Sequence, residues 1–99
     1  MNRVTMETIT IAKEEKTPTG WQFSVVVGEE GSTTKHEVLL DEAYWKSLTG
    51  GNGRPKTLIE HSFVFLLKRE PKESILASFN LKQIENYFPE YKEEIASSK

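Results

Sequence analysis

The strongest constraint on the fold is a run in which large apolar side chains recur at every second position, Trp21-Gln22-Phe23-Ser24-Val25-Val26-Val27-Gly28. Alternate residues of a strand point to opposite faces, so Trp21, Phe23 and the valines in phase with them share one face. A second alternating run follows after a short connection, Thr33-Thr34-Lys35-His36-Glu37-Val38-Leu39-Leu40. Two such runs joined this closely predict an antiparallel hairpin.

A weaker alternation precedes this hairpin in residues 7–12, where Ile9 and Ile11 alternate with Thr and Ala side chains. This pattern indicates another strand. Residues 13–20, which include Thr17-Pro18-Thr19-Gly20, have the composition of a loop and turn. The first part of the chain therefore predicts a meander of three antiparallel strands with one buried face.

The hydrophobic period changes at Asp41, a residue type that commonly caps the N-terminus of a helix. The predicted helix runs through Leu48 and ends at Gly50, which suits the left-handed position after a helix. Pro55 fits the first turn of a second helix that extends to about Arg69.

The second predicted helix is unusually apolar, and its apolar side chains cover more than half of a helical wheel. They are Leu58, Ile59, Phe63, Phe65, Leu66 and Leu67. A helix of this kind must be covered on more than one side, and the apolar sheet face is the expected cover. Periodicity leaves open the alternative that residues 63–67 form a buried strand.

Shorter helical segments are predicted after this helix. Pro71 ends it, and residues 72–76 give one more helical turn. Asn80 and Gln83 have the spacing of a capping box, in which each residue satisfies a backbone or side-chain group of the other. The following residues place three apolar side chains on one helix face: Leu81, Ile84 and Phe88.

Pro89 opens a last helical turn through Ile95, and residues 96–99 are expected to fray. Strands followed by helices predict an α+β fold: a three-stranded antiparallel meander followed by three to four helices packed on one sheet face. Residues 1–99 are expected to form a single domain.

Composition excludes several classes of protein. Basic and acidic residues number 13 and 15 and alternate in sign, so nucleic-acid binding is disfavoured. The sequence has no cysteine, which removes thiol chemistry and cysteine zinc sites and favours a reducing compartment. Neither a secretory signal nor a long apolar stretch is visible, so we expect a cytoplasmic protein without a membrane span.

The segment Gly50-Gly51-Asn52-Gly53-Arg54-Pro55-Lys56-Thr57 superficially resembles a phosphate-binding loop. The nucleotide-binding motif requires a glycine before the Lys-Thr pair and a strand before the loop. Here Pro55 replaces that glycine and the preceding element is a predicted helix. A plain flexible connection is favoured; the alternative is an anion bound at the helix N-terminus with help from Arg54 and Lys56.

The two histidines do not indicate a catalytic or metal site. His36 lies in phase with Val38 and is predicted at the edge of the core with a hydrogen-bond partner. His61 falls on the polar arc of the second helix, and no spacing supplies the three or four ligands that a metal needs. His61 and Ser62 point in different directions on a helix, which excludes them as a nucleophile pair. No cofactor is expected.

The carboxylates have ordinary explanations. Asp41 is the only aspartate, and helix capping accounts for it. A catalytic pair might be sought at Glu60 or Glu70, but neither has an apolar sequence setting that would raise its pKa. Solvated glutamates on a helix surface are the favoured interpretation.

Aromatic residues are abundant in the second half of the chain, with Tyr44 and Trp45 in the first helix and a compact Tyr87-Phe88-Pro89-Glu90-Tyr91 segment. Most are expected in the core. Trp45, Tyr87 and Tyr91 are the candidates for an exposed anchor of the kind that dominates protein interfaces.

Several segments between His36 and Tyr91 resemble a group of short conserved bacterial proteins with no assigned activity. The most specific segment is Ser62-Phe63-Val64-Phe65-Leu66-Leu67-Lys68-Arg69-Glu70-Pro71, followed by Ser74-Ile75-Leu76 and Tyr87-Phe88-Pro89-Glu90-Tyr91. The resemblance implies a bacterial cytoplasmic protein and assigns no site. A looser similarity to HicB-type antitoxins comes from the order of a small sheet followed by helices.

The leading hypothesis is a non-enzymatic protein-binding or regulatory module that acts through a protein partner or as a homodimer. One alternative is a small-ligand or anion-binding protein that uses the 50–56 loop. The other is an antitoxin-like partner protein.

Overall fold

The computed structural model describes residues 8–29 and 31–97. Within these residues the strands are β1 (Ile9–Lys16), β2 (Gly20–Glu29), β3 (Ser32–Asp41) and β4 (Ser78–Asn80). The α-helices are α1 (Glu42–Thr49), α2 (Pro55–Leu67), α3 (Ile84–Tyr87) and α4 (Tyr91–Ser97). Two 3₁₀ helices, Lys72–Ser74 and Leu81–Gln83, flank β4. The predicted α+β class is confirmed.

The first three strands form the predicted antiparallel meander. β2 pairs with β3 throughout, with Trp21 opposite Leu40 and Phe23 opposite Val38. β1 pairs with the other edge of β2. Because side chains alternate between faces, every second residue of the β2–β3 hairpin points into the core.

β1 is longer than predicted, since it continues to Lys16 where the sequence indicated a loop. A β-bulge between Ile11 and Lys13 shifts its register against β2. The turn after it is correspondingly short, and the Thr17 N–H donates to the Gly20 carbonyl oxygen at 2.8 Å. β1 is an edge strand, and a bulge with charged side chains is typical of edges that resist pairing with other chains.

β4 is absent from the sequence prediction. It joins the free edge of β3 in parallel, with Val38 opposite Phe79, so the sheet order is β1-β2-β3-β4 and the sheet is mixed. The ladder extends by one bond before β4, where the Glu37 N–H donates to the Ala77 carbonyl oxygen at 2.8 Å. A three-residue strand is too short to show a period of two, which explains why it was missed.

The core lies between one face of the sheet and the helices. On β2 and β3 the buried apolar residues are Phe23, Val25, Val27, Val38 and Leu40. The alternate residues of β3, among them Lys35, Glu37 and Leu39, are exposed on the outer face. The sheet therefore has one apolar face and one face in water, as the alternation predicted.

α2 is the predicted central helix, and the alternative of a buried strand in residues 63–67 is wrong. The helix ends at Leu67, two residues before the predicted Arg69, where the Lys68 N–H donates to the Val64 carbonyl oxygen at 3.2 Å. Its buried residues are Leu58, Ile59, Ser62, Phe63, Phe65 and Leu66. At about 100° per residue these side chains span slightly less than half of the helix circumference, and α2 packs against α4 through Phe65 and Tyr91 as well as against the sheet.

The ends of α1 confirm one predicted cap and correct another. Gly50 adopts the left-handed conformation with φ of 71° after the helix, as expected. Asp41 occupies the N-cap position, but its side chain makes no capping hydrogen bond. Its carboxylate lies 3.9 Å from Lys82 Nζ, and the Glu42 N–H donates to the Thr19 carbonyl oxygen at 2.9 Å. The start of α1 is thus fixed by the backbone of the turn between β1 and β2.

Some predictions concern residues that the structure does not describe. The expectation that no secretory signal is present and the predicted contribution of Glu7 to the first strand both concern residues 1–7. Residues 98 and 99 are also outside the described part, whereas Ala96 and Ser97 belong to α4. Within the described residues, no helix combines the length and apolar character needed to cross a membrane.

Candidate functional site

An open groove lies where the last turn of α2, the segment 74–76, β4 and α3 meet. It has a volume of about 200 Å³. Its floor consists of side chains that belong to the core, Leu66, Ile75, Phe79 and Ile84. We call this feature the apolar groove. It is the place where the hydrophobic core reaches the surface.

Two large apolar side chains on the walls of the apolar groove have much of their surface in water. Leu76 is 48% exposed and Tyr87 is 64% exposed. Leu39, which is 44% exposed, is the other large apolar residue of this kind within the described residues, and it lies on the outer sheet face. Scattered exposed leucines are ordinary, whereas exposed apolar side chains that border a groove are typical of binding surfaces.

The wall that carries Leu76 is held by a buried histidine of β3. His36 Nδ1 lies 2.7 Å from the Leu76 carbonyl oxygen, and His36 Nε2 lies 2.8 Å from Thr34 Oγ1. The His36 ring also packs against Phe63 of α2, with 5.5 Å between ring centroids. The prediction of a hydrogen-bonded histidine at the core is confirmed. The same residue fixes the backbone of the groove wall.

The wall that carries Tyr87 is α3, a single turn that needs support from outside itself. The capping box predicted from Asn80 and Gln83 is present, and the Asn80 N–H donates to Gln83 Oε1 at 2.8 Å. From α1, the Tyr44 hydroxyl donates to Glu85 Oε1 at 2.7 Å. Hydrogen bonds therefore support α3 in two ways, through the capping box that precedes it and through the contact of Glu85 with α1.

Phe88 and three polar residues complete the lining of the apolar groove, and the polar residues are Glu70, Ser74 and Gln83. Glu70 is half-buried and is the charged member of the lining. Its carboxylate forms no ion pair with any residue of 8–29 or 31–97. Glu70 therefore lies in a partly shielded position beyond the end of α2, not on the helix face where the sequence placed it.

A second groove of about 130 Å³ lies between α2 and α4 and includes His61. Arg69 crosses it, with its guanidinium carbon 3.7 Å from the centroid of the Phe65 ring. Arg69 also forms ion pairs with Glu90 at 3.1 Å and Glu94 at 3.9 Å. A hydrogen bond from its own backbone lowers the pKa of the Glu90 carboxyl group, and the hydrogen bond from Arg69 lowers it further by a smaller amount. Arg69 is thus already paired with Glu90 and Glu94, and we interpret the second groove as part of the contact between α2 and α4.

Tyr91, predicted as an exposed anchor, is a core residue. It is 0% exposed, and its ring packs edge-on against Phe65 with 5.1 Å between centroids. The Ser62 hydroxyl donates to the Leu58 carbonyl oxygen at 2.7 Å, so the Tyr91 hydroxyl donates to Ser62 Oγ at 2.6 Å. This chain of hydrogen bonds joins α4 to α2, and Tyr91 leaves the set of candidate binding residues.

Trp45, another predicted anchor, packs against the sheet away from the apolar groove. Its ring meets Trp21 of β2 in an edge-to-face arrangement with 5.4 Å between centroids. The ring of Trp21 is covered in turn by Lys16 Nζ at 5.2 Å from its centroid. Trp45 Nε1 is buried without a hydrogen-bond partner among the described residues. Trp45 is half-buried, and the structure places only Tyr87 of the three predicted anchors on the groove.

Arg54 and Lys56 lie at the exposed start of α2, distant in sequence from the groove residues. The element before their loop is the helix α1, as predicted, so the strand that a nucleotide loop requires is lacking there. Pro55 stands at the first position of α2 and supplies no N–H, while the Thr57 N–H donates to the Arg54 carbonyl oxygen at 3.1 Å. Anion binding at this end stays a prediction.

The buried hydroxyl groups are poorly suited to catalysis. Burial raises the pKa of both Tyr44 and Tyr91, and Tyr91 is the more deeply buried of the two. Both phenols therefore stay protonated at neutral pH. Ser62 is buried and hydrogen-bonded, whereas its neighbour His61 is exposed. Among the residues that the structure describes, no cluster of three or more His, Cys, Asp or Glu side chains is placed to hold a metal ion.

The apolar groove is therefore the candidate site, and its residues come from α2, the two 3₁₀ helices, β4, α3 and the segments that join them. Comparisons of the chain with protein-family models, with curated proteins and with solved structures find no significant match.

Proposed function

We propose that the protein is a non-enzymatic binding module that holds a segment of a partner protein in the apolar groove. The observation that carries this proposal is the exposure of Leu76 and Tyr87 on the walls of a groove whose floor is the hydrophobic core. Partner side chains placed between them would bury apolar surface that the isolated chain leaves in water.

The size of the apolar groove supports a protein segment over a small molecule. Pockets that enclose drug-sized ligands have volumes of about 300–1,000 Å³. At about 200 Å³ and open to solvent, this groove fits one or two anchoring side chains of a larger partner. A short helix or extended segment inserts its anchors into grooves in this way.

The cellular setting is part of the same proposal. The absence of cysteine and the resemblance to short bacterial proteins support a partner in the bacterial cytoplasm. A regulatory or antitoxin-like role fits a small module of this kind. A second copy of the chain is the competing occupant, and the experiment below separates it from a different protein.

The test is affinity capture from a lysate of the organism that encodes the protein, run with and without nuclease, using the wild type and two matched variants. Leu76→Ser removes an exposed leucine from the groove wall, and Leu39→Ser removes an equally exposed leucine from the outer sheet face. We expect a protein that is captured by the wild type and by L39S but lost with L76S.

Three results would contradict the proposal. Capture that is equal for both variants would show that the apolar groove is not the binding surface. Recovery of only nuclease-sensitive material would indicate a nucleic-acid protein. A concentration-dependent dimer abolished by L76S, measured by sedimentation equilibrium, would identify the occupant as a second copy.

A further inference from the structure

We infer that the apolar groove selects partner segments in which an arginine or lysine lies next to the apolar side chain that enters the groove. Glu70 would form an ion pair with this positive charge. The inference rests on the proposed function and adds to it the chemical class of the partner.

The position of Glu70 carries the first step. It follows the end of α2, where its N–H donates to the Leu66 carbonyl oxygen at 2.9 Å, which fixes its backbone against the groove floor. Its side chain is half-buried and lines the groove that Leu76 and Tyr87 border. A ligand seated between these walls is therefore brought next to a carboxylate.

The neighbouring cations are directed elsewhere, which is the second step. Lys68 and Arg69 precede Glu70 in the sequence, but both line the second groove between α2 and α4. Arg69 is further committed to Glu90 and Glu94 through its ion pairs. Lys68 and Arg69 therefore place positive charge at the second groove, whereas Glu70 places negative charge at the apolar groove.

The third step concerns the free energy of covering the Glu70 carboxylate with a bound partner. A partner that covers the groove removes water from Glu70, and a carboxylate that loses water without gaining a partner is unfavourable. A cation on the partner restores that interaction, whereas an acidic residue adds repulsion, so the groove discriminates by charge. An ion pair in such a setting changes affinity by roughly twofold to fivefold.

The experiment uses a phage-displayed library of random 12-residue peptides, selected against the wild-type protein and against Glu70→Lys. Clones are counted as groove binders only if Leu76→Ser weakens them at least tenfold while Leu39→Ser does not. Synthetic peptides from these clones are then measured by fluorescence polarisation against the wild type, E70K and the nearly isosteric E70Q.

We expect wild-type groove binders to combine a large apolar residue with Arg or Lys within four positions, and E70K to select Asp or Glu at the same spacing. The basic peptides should lose about twofold to fivefold in affinity with E70Q and more with E70K. Their affinity for the wild type should fall as salt is raised.

Failure of the inference differs from failure of the proposed function. Groove binders without basic residues, or with unchanged affinity for E70Q and E70K, would overturn the role of Glu70 and leave the groove as a binding site. A selection that yields no clone sensitive to L76S would overturn the proposed function and this inference together.

Discussion

The imidazole of His36 holds the backbone of Leu76, which lies 40 residues later in the chain: Nδ1 and the Leu76 carbonyl oxygen are 2.7 Å apart. A carbonyl oxygen only accepts hydrogen bonds, so Nδ1 carries the proton. In the neutral ring Nε2 is then the acceptor, and the Thr34 hydroxyl donates to it at 2.8 Å. A buried polar side chain of the sheet thereby positions an exposed apolar side chain of the groove.

Replacement of His36 by leucine should destabilise the fold and loosen the groove wall. The variant leaves the Leu76 carbonyl without its donor, at a cost of about 1–3 kcal/mol in the free energy of unfolding. Urea denaturation measures this loss. Native-state hydrogen exchange should show faster exchange concentrated in residues 74–78.

Thr34→Val is the control, because it removes the other hydrogen bond of His36 and keeps the one to Leu76. We expect a smaller loss of stability and unchanged exchange in residues 74–78. Equal acceleration of exchange in both variants would show that His36 stabilises the core without specifically fixing the groove wall.

Tyr91 and Tyr87 provide a matched test of burial against exposure. Tyr91→Phe removes the hydroxyl that donates to Ser62 and should lower the free energy of unfolding by about 1 kcal/mol. Tyr91→Ala should cost about 3–5 kcal/mol, because it empties a fully buried site. Tyr87→Ala should stay within about 0.5 kcal/mol of the wild type.

Urea denaturation of the three tyrosine variants decides this prediction, provided that the dependence of the free energy on urea is unchanged. If Tyr87→Ala proved as destabilising as Tyr91→Ala, the exposed wall of the groove would be a packing element. The proposed binding role of Tyr87 would then lose its basis.

Stability should fall in alkaline solution in a way that depends on Tyr91. Burial raises the pKa of Tyr91, so above a pH near its ordinary value of about 10 the unfolded chain releases this proton and the folded chain keeps it. The folded state then binds more protons, and its stability decreases as pH rises. The Tyr91 contribution is about 1.4 kcal/mol per pH unit beyond that point.

The measurement is the free energy of unfolding of the wild type and of Tyr91→Phe between pH 9 and 11. The variant should lose less stability over this range, because phenylalanine has no proton to release. Tyr44, whose pKa is raised in the same direction by burial, adds to the alkaline loss in both proteins. Parallel curves would contradict the assignment of a buried phenol at position 91.

The anion-binding alternative can be separated from the groove by titration with inorganic phosphate and observation of backbone amides by NMR. We expect weak, unsaturated shifts in residues 51–57, because Pro55 lacks an N–H and the Thr57 N–H is already bonded. Saturable shifts confined to these residues, abolished by Arg54→Gln with Lys56→Gln, would establish the alternative function.

Local patterns predicted the parts of this fold that local interactions form. The alternation in β2 and β3 placed the hairpin and its buried face, because the period of a strand is independent of its neighbours. The capping box at Asn80 and Gln83 was equally readable, since both residues act within one turn. The boundaries of β1 and α2 differ from the prediction by a few residues, since the ends of elements are less sharply marked by hydrophobic periodicity than their interiors.

The candidate site was less predictable, because its residues meet only after folding. Leu76 gained its importance from His36 on a distant strand, and the burial of Tyr91 depends on Ser62 in another helix. In the sequence, Glu70 resembles an ordinary surface glutamate. Only the structure shows that it lines the apolar groove while Lys68 and Arg69 line the second groove. The one accessible signal was the Ile75-Leu76 pair after Pro71, too apolar for a plain surface turn.

The parallel pairing of β4 with β3 has a consequence for the order of events during folding. The hairpins of β1, β2 and β3 close short loops, whereas the contact of residues 37–39 with 78–80 must close a long one and bears a larger entropy cost. We therefore expect the groove to form late and to open early. A bound partner segment would stabilise the last third of the chain in its folded form, so that association and completion of the fold reinforce each other.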